Sequence, residues 1–345
     1  MNTVKLGGTG LDVSEVGFGG IPIIPLPKNE AVWIVKYCFE LGITFFDTAI
    51  MYTTSEEEIG TALQTVRDKV VIASKTTQRE ANGAAAHIDT SLKQLKTDWI
   101  DIYQCHNVSN EEALQQILAP QGAYEALAKA RDAGKIRFIG ISSHSIQTAM
   151  EALKTGLFQT LQFPFNFIEN DPENELFPFA CQHNVGIIGM KPLGGGLLES
   201  ADLCFGFLRQ HPHVVPIPGI RAKEEADQII ALYRHTQRLS RSDLKKMQKI
   251  QAVWGEKFCH RCEYCMPCEQ GVQIPSVLIF QAVAKRLSPE GVSAWLGKAM
   301  ESVTQCIECG QCEEKCPYNL PIADLLKENL ALFKEIEETI DLPGT

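Results

Sequence analysis

No stretch of this 345-residue chain offers an apolar run near the ~18–20 residues of a membrane span, so the sequence predicts no membrane-crossing helix. Basic charge is in deficit: 32 Lys and Arg stand against 42 Asp and Glu, a formal net charge of −10. Such a balance repels phosphate backbones and anionic lipids, which argues against nucleic acid or a membrane as partner. The start, Met1-Asn2-Thr3-Val4-Lys5-Leu6-Gly7-Gly8, lacks the charged and apolar regions of an export leader. Low-complexity tracts are missing as well. So is the Gly-x-Gly-x-x-Gly turn of an open dinucleotide-binding sheet; Gly17-Phe18-Gly19-Gly20 follows the first strand-like run without that spacing. These absences predict a soluble cytoplasmic protein.

What is present suffices for a sizeable interior, with 45% hydrophobic and 21% charged residues. Apolar, β-rich runs recur at 15–20, 44–49, 70–75, 99–106, 136–142, 160–166, 186–192 and 214–219. Nearly continuous hydrophobicity, as in Val70-Val71-Ile72-Ala73, fits strands covered on both faces. Helical stripes lie between them, such as Ala31-Ile34-Val35-Cys38 ending at Gly42. Eight strands alternating with helices predict an α/β fold, a closed (β/α)8 TIM barrel rather than an open sheet. A polar helix from Ser240 to about Lys257 leads out of it. Beyond lie 8 basic and 14 acidic residues and most of the cysteines, which predicts a barrel over 1–255 and a second, small and mainly helical domain over 256–345.

Twelve cysteines are present, and eight fall between Cys259 and Cys316. A disulfide scaffold would be short and secreted, so clustering in this chain points to metal. The runs are Cys259-x2-Cys262-x2-Cys265-x2-Cys268 and Cys306-x2-Cys309-x2-Cys312-x3-Cys316-Pro317. Structural zinc and free reduced thiols are the alternatives to iron–sulfur, and free thiols would not be spaced this way by chance. Zinc prefers two well-separated pairs of ligands. Three cysteines within seven residues instead wrap one chain turn around three corners of a cubane, which favours two 4Fe-4S clusters.

In a barrel, chemistry is built where strands end. Reading those ends gives Asp47, Tyr52, Lys75 and His106, each a polar residue after a strongly apolar strand. Each has an ordinary alternative: a helix cap, a solvated lysine, a satisfied structural histidine. Together they suit proton transfer to a carbonyl oxygen. An ammonium beside a tyrosine lowers the phenol's pKa from ~10, an aspartate keeps the ammonium charged, and a histidine polarises the carbonyl. Phe163, Phe165, Phe167 and Met51 are candidates to line a partly apolar pocket for a small carbonyl or alcohol substrate.

Over residues 1–235 the sequence resembles the aldo-keto reductase family. The motifs are Asp47-Thr48-Ala49 with Tyr52, Ala73-Ser74-Lys75, Ile102-Tyr103-Gln104-Cys105-His106, Gly140-Ile141-Ser142-Ser143, Gln162-x3-Asn166, Pro192-Leu193-Gly194-Gly195-Gly196 and Ile217-Pro218-Gly219-Ile220-Arg221. The resemblance implies a nicotinamide cofactor, NADP(H) or NAD(H), bound in extended form, with Asp47, Tyr52, Lys75 and His106 as the catalytic tetrad. It implies Ser142, Ser143 and Gln162 around the nicotinamide carboxamide. Leu193, Gly194, Gly195, Gly219 and Arg221 fall on the pyrophosphate and adenine-ribose side, and Gly19 joins the cofactor set. Met190-Lys191 stands where the family often stacks a tyrosine. Glu225 stands where it often has an arginine, so a 2′-phosphate meets Glu225 and Arg221 together.

The cysteine region resembles a dicluster ferredoxin-type domain of the helical kind, with helices over 274–285, 292–300 and 322–338. The resemblance implies crossed ligand sets: Cys259, Cys262, Cys265 and Cys316 for one cluster, and Cys306, Cys309, Cys312 and Cys268 for the other. The implied function is an NAD(P)-dependent oxidoreductase interconverting a carbonyl and an alcohol, its clusters relaying electrons to or from a protein partner. The alternatives are the same reductase with structural or regulatory clusters, and a redox-sensing binding module on such a barrel.

Overall fold

The computed structural model describes residues 1–235, 238–255, 257–285 and 287–340. The chain forms two compact units, Met1–Pro192 with Ser200–Leu239, and Leu193–Glu199 with Ser240–Thr345.

In the first unit a hairpin, β1 (Thr3–Lys5) and β2 (Asp12–Ser14), precedes eight parallel strands. These are β3 (Phe18–Gly19), β4 (Phe45–Asp47), β5 (Val71–Thr76), β6 (Ile100–Cys105), β7 (Ile136–Ser142), β8 (Thr160–Pro164), β9 (Gly186–Met190) and β10 (Val214–Pro216), hydrogen-bonded in sequence order. The sheet curls until its ends meet. Gly19 bridges Gly219, and the N–H groups of Gly17 and Gly19 donate to Pro216 O and Pro218 O at 2.8 and 2.7 Å. Glycine is required at this seam, because a Cβ on Gly219 would lie 2.3 Å from Pro22 Cγ. The expected eight-stranded barrel is the fold observed.

Every residue of β5 and β6 is buried, as continuous apolar runs require when helices cover one face and the barrel interior the other. The helix Lys28–Glu40 shows the outer layer's logic: Ala31, Ile34, Val35 and Cys38 recur at helical spacing and are all buried. Inside, side chains alternate along each strand. Phe45, Val71, Ala73, Ile102, Ile188 and Val215 form an apolar layer closed from below by Leu6, Leu11 and Val13 of the hairpin region. Burying each large aliphatic side chain contributes roughly 1.5–3 kcal/mol. One step further along the strands the inward positions turn polar, and that layer is the floor of the site.

The second unit is helical. Its first helix, Arg241–Trp254, starts with a capping box: Ser240 Oγ accepts from Asp243 N at 3.2 Å, and Asp243 Oδ2 accepts from Ser240 N at 3.0 Å. The unit therefore includes the polar helix and starts before the composition shift at 256. The expected helix over 274–285 is two short ones, Ile274–Leu278 and Phe280–Ala284, followed by Pro289–Ser302 and Ile322–Ile340. Val277, Phe280, Leu296, Met300, Leu326 and Phe333 are central to the core. Asn329, buried among them, donates to Val277 O at 3.1 Å and accepts from Gln281 at 3.2 Å, so its polar atoms are satisfied. No helix among the described residues is long and apolar enough to cross a membrane.

Candidate active site and candidate cluster sites

Strand register brings three of the four strand-end residues to one place. Asp47 ends β4, Lys75 lies near the end of β5, and His106 follows β6, its N–H donating to Thr76 O at 2.8 Å. Lys75, with no exposed surface, donates to Asp47 Oδ2 and Thr48 O, both at 2.7 Å. Tyr52, in the turn before the helix Ser55–Leu63, lies with its ring centroid 5.0 Å from Lys75 Nζ and 5.9 Å from the edge-on His106 ring. The four residues are thus brought together.

Their electrostatics follow from burial. Desolvation penalises the Lys75 ammonium most, but Asp47 and Tyr52 together outweigh it by charge and hydrogen bonding, so Lys75 is held charged above its ordinary value. Burial raises the Tyr52 phenol; Lys75 pulls it down by charge and hydrogen bonding, and Asp47 pushes it up. Lys75 lowers the phenol as expected, but the net direction is upward, because the same burial that strengthens the pair penalises a phenolate more. Burial, together with Lys75, Arg79 and Lys191, pushes His106 down to about 3, so its imidazole is neutral.

The candidate cofactor residues are placed as follows. Ser142 ends β7 and its Oγ accepts from Asn107 N at 2.8 Å. Ser143 Oγ is engaged in its own turn with Ser145. Gln162, on β8, accepts from Gln104 Nε2 at 2.9 Å, and Met190 Sδ lies 3.8 Å from its Nε2. Lys191, with a left-handed φ of 57°, hydrogen-bonds His144, whose Nδ1 lies 2.9 Å from Asn107 Oδ1. Gly194 and Gly195 have φ of 56° and 71°, which glycine adopts at little cost. Leu193, Gly194 and Gly195 belong to the second unit by their packing; a Cβ on Gly194 would lie 3.3 Å from Phe258.

Glu225, partly exposed, is engaged at a helix start. Its Oε2 accepts the N–H groups of Arg221 and Ala222 at 2.8 and 3.3 Å, capping the helix Lys223–Arg234, and Oε1 lies 3.8 Å from Arg221 Nε. The phenylalanines are corrected. Phe163, Phe165 and Phe167 are buried, and Phe165 packs on Phe177 and Phe207 of the covering helices, 4.9 and 5.2 Å between ring centres. Gln162 faces the interior, so its strand neighbours face outward. Of the proposed lining only Met51 is exposed.

Two residues emerge that the strand-end reading passed over. Gln104, fully buried, donates to Gln162 and reaches Asp47 Oδ1 at 3.4 Å. It stands two residues before His106, and strand period alone would have put it inside. Arg79 Nη2 donates to the carbonyls of His106 and Asn107, both at 2.9 Å, and no sequence signal marks it.

In the second unit the cysteines gather in two sets that share Cys265. Cys316 lies within electrostatic reach of Cys259, Cys262 and Cys265, although far from them in sequence. Cys265, Cys268, Cys306, Cys309 and Cys312 line one cavity of about 60 Å³. Backbone N–H groups of Arg261 and Tyr264 donate to Cys259 and Cys262. Arg261, Glu263 and Glu308 have φ of 60°, 63° and 54°, turning the chain tightly about the sulfurs. Among the described residues no three His, Cys, Asp or Glu side chains converge as a single ion would need. The N–H groups donated to Cys259 and Cys262 favour a ligating thiolate at those sulfurs, which suits a cluster.

The aldo/keto reductase family model matches residues 15–204, and that of the 4Fe-4S dicluster domain matches residues 258–321. An uncharacterized oxidoreductase of Bacillus subtilis (strain 168), YqkF, is 31% identical over 217 residues, covering 59% of this chain and 68% of its own. L-galactose dehydrogenase of Arabidopsis thaliana is 34% identical over 212 residues, 56% of this chain and 66% of its own. The chain spans 60–68% of the length of the curated relatives it matches. Among solved structures, an aldo/keto reductase of Klebsiella pneumoniae in complex with NADP and acetate superposes with a TM-score of 0.61 at 24% identity, over 73% of this chain and 96% of that one.

Proposed function

The chain belongs to the aldo/keto reductase family and carries a 4Fe-4S dicluster domain, and from that premise we propose that it interconverts a carbonyl and an alcohol with NADP(H) or NAD(H) in the cytoplasm. A nicotinamide, when bound, supplies or accepts the hydride. Tyr52 holds the proton that the carbonyl oxygen must gain, and its raised pKa keeps that proton in place until it is needed. Lys75, kept charged by Asp47, stabilises the phenolate left behind. His106, neutral, orients the carbonyl by a hydrogen bond without placing a full charge beside Tyr52. Ser142, Ser143 and Gln162 take the carboxamide, Leu193, Gly194 and Gly195 the pyrophosphate side, and Gly219 with Arg221 the adenine ribose.

The observation that carries this reading is the fully buried Lys75–Asp47 pair, 2.7 Å apart, beside the Tyr52 ring. A buried ion pair is weak as a stability device, since desolvation offsets much of its attraction. Its placement beside a proton donor gives it a chemical purpose. Cys259, Cys262, Cys265 and Cys316, and Cys268, Cys306, Cys309 and Cys312, would hold two clusters, which would supply one-electron exchange with a protein partner. The test is anaerobic purification with iron and sulfide counted, then NADPH and NADH oxidation over a panel of aldehydes and ketones. About eight irons per chain and turnover of at least one carbonyl are expected. Zinc without iron overturns the cluster part, and a panel turned over equally by Tyr52→Phe overturns the catalytic part.

A further inference from the structure

Four side chains from four strands, Lys75, Asp47, Gln104 and Gln162, form one buried hydrogen-bonded chain across the barrel interior. We propose that Gln104 is a positioning residue that fixes which way round the Gln162 amide faces the nicotinamide site. This rests on the reading above, in which Gln162 takes the carboxamide.

The polarity of the chain is set from one end. Asp47, paired with Lys75, is a carboxylate and can only accept. Gln104 therefore turns its NH2 toward it, with Nε2 at 3.4 Å from Asp47 Oδ1 and 2.9 Å from Gln162 Oε1. Turned over, Gln104 would aim its own oxygen at two acceptors. Gln162 thus has its oxygen occupied and its NH2 left to donate, with the Asp47 carboxylate within its hydrogen-bonding reach and Met190 Sδ 3.8 Å from Nε2. A thioether is a weak acceptor that a ligand carbonyl displaces readily. Gln162 is consequently a dedicated donor, matched to the carbonyl oxygen of a carboxamide.

The arrangement has a cost that stability alone does not explain. Gln104 Oε1 is buried without a hydrogen-bond partner, and the layer beneath it is filled by apolar side chains such as Ile102 and Ile188. Its strand partner is Gly140, where a Cβ would lie 2.9 Å from Gln104 Cγ, so the neighbouring strand leaves room for this side chain. An apolar residue at 104 would avoid the orphaned acceptor and lose the polarity.

The test is a double-mutant cycle read by fluorescence titration of NADPH and NADH on the full chain with its clusters. Gln104→Met keeps length and volume while removing the donors. It is expected to weaken nucleotide binding about tenfold, as is Gln162→Met, and the double variant should bind no worse than Gln162→Met alone. Gln104→Asn, which keeps the NH2 on a shorter stem, should recover part of the loss. Wild-type affinity in Gln104→Met, or losses that add in the double variant, overturns the proposal. So does failure of both Gln104 variants to fold, judged by circular dichroism, which would make the residue structural. Wild-type protein that binds neither nucleotide brings down the functional reading itself, an outcome seen before any substitution is made.

Discussion

The barrel and the cluster unit keep their reactive groups in opposite states. In the barrel every strand-end group already has its place: Lys75 holds Asp47, Gln104 holds Gln162, and Arg79 holds the backbone at His106. Even the Arg67–Asp101 pair at 2.7 Å lies buried and tied to neighbouring carbonyls. In the cluster unit seven of the eight cysteines stand on loops and Cys312 in the short helix Gln311–Glu314, all half-buried or exposed, beside helices that share one apolar core. The strand register of a barrel assembles a site without help. Loops with left-handed residues such as Arg261 and Glu263 need something to hold them, and a thiolate-bound cluster converts binding free energy into folding free energy.

The comparison breaks most visibly if iron is removed. Cys309→Ser, or chelation of the wild type, should cost the visible absorption and expose the second unit to proteolysis, while the strands of the first unit remain protected. The loop Leu193–Glu199 should become cleavable with the second unit, because Gly194 packs on Phe258 and Glu199 pairs with Lys285 at 3.0 Å. Simultaneous loss of both units would show that the barrel does not stand on its own core. Protection unchanged throughout would show that the cluster unit folds without its metal.

Next in size is the chemical step. Tyr52→Phe removes only the transferable proton, so carbonyl reduction should fall by roughly 10²–10⁴ while nucleotide affinity stays within about twofold. Steady-state rates and a titration decide it. Wild-type turnover in that variant would remove Tyr52 from its role.

A smaller effect separates the units by pH. His106 titrates near 3 in the folded barrel, against ~6.5 unfolded, so unfolding takes up a proton between these values. Its contribution is fully present above about pH 6.5 and is lost as pH falls toward 3, with a slope of at most about 1.4 kcal/mol per pH unit. His106→Gln should flatten the acid side of the barrel's melting curve by that amount. An unchanged acid slope would mean that the ring protonates without unfolding.

The barrel was legible because eight apolar runs have nowhere to go but between helices and an interior, and a polar residue ending such a run can hardly be packing. Asp47, Lys75 and His106 were visible for that reason. Gln104 was hidden by the same logic. It lies inside an apolar strand, where a single polar residue looks like an exception until Asp47 and Gln162 are seen at its two sides. Phe163 misled because an aromatic beside a site residue is, on a strand, on the opposite face. The cysteine spacing announced a 4Fe-4S dicluster domain, and Cys316 lies within electrostatic reach of Cys259. The packing of Leu193–Glu199 with the second unit had no sequence signal, since Gly-rich loops carry little information about what they rest on.

The smallest expected effect bears on the nucleotide itself. Glu225 caps a helix and pairs with Arg221, so its charge is already partly spent inside the first unit. Glu225→Gln keeps a side-chain acceptor for the two N–H groups and removes the charge. The barrel should therefore lose about 0.5–1 kcal/mol, the worth of a carboxylate at a helix N-terminus. Arg221 would no longer face a competing anion, and affinity for NADPH should rise a few-fold over that for NADH, more at low salt than at high. Glu225→Ala should lose more stability, because the cap is gone, and give the same change in preference. Paired titrations of both nucleotides with each variant read the ratio. If the ratio does not move while the melting temperature falls, Glu225 is a cap only, and Arg221 does not read the adenine-ribose phosphate.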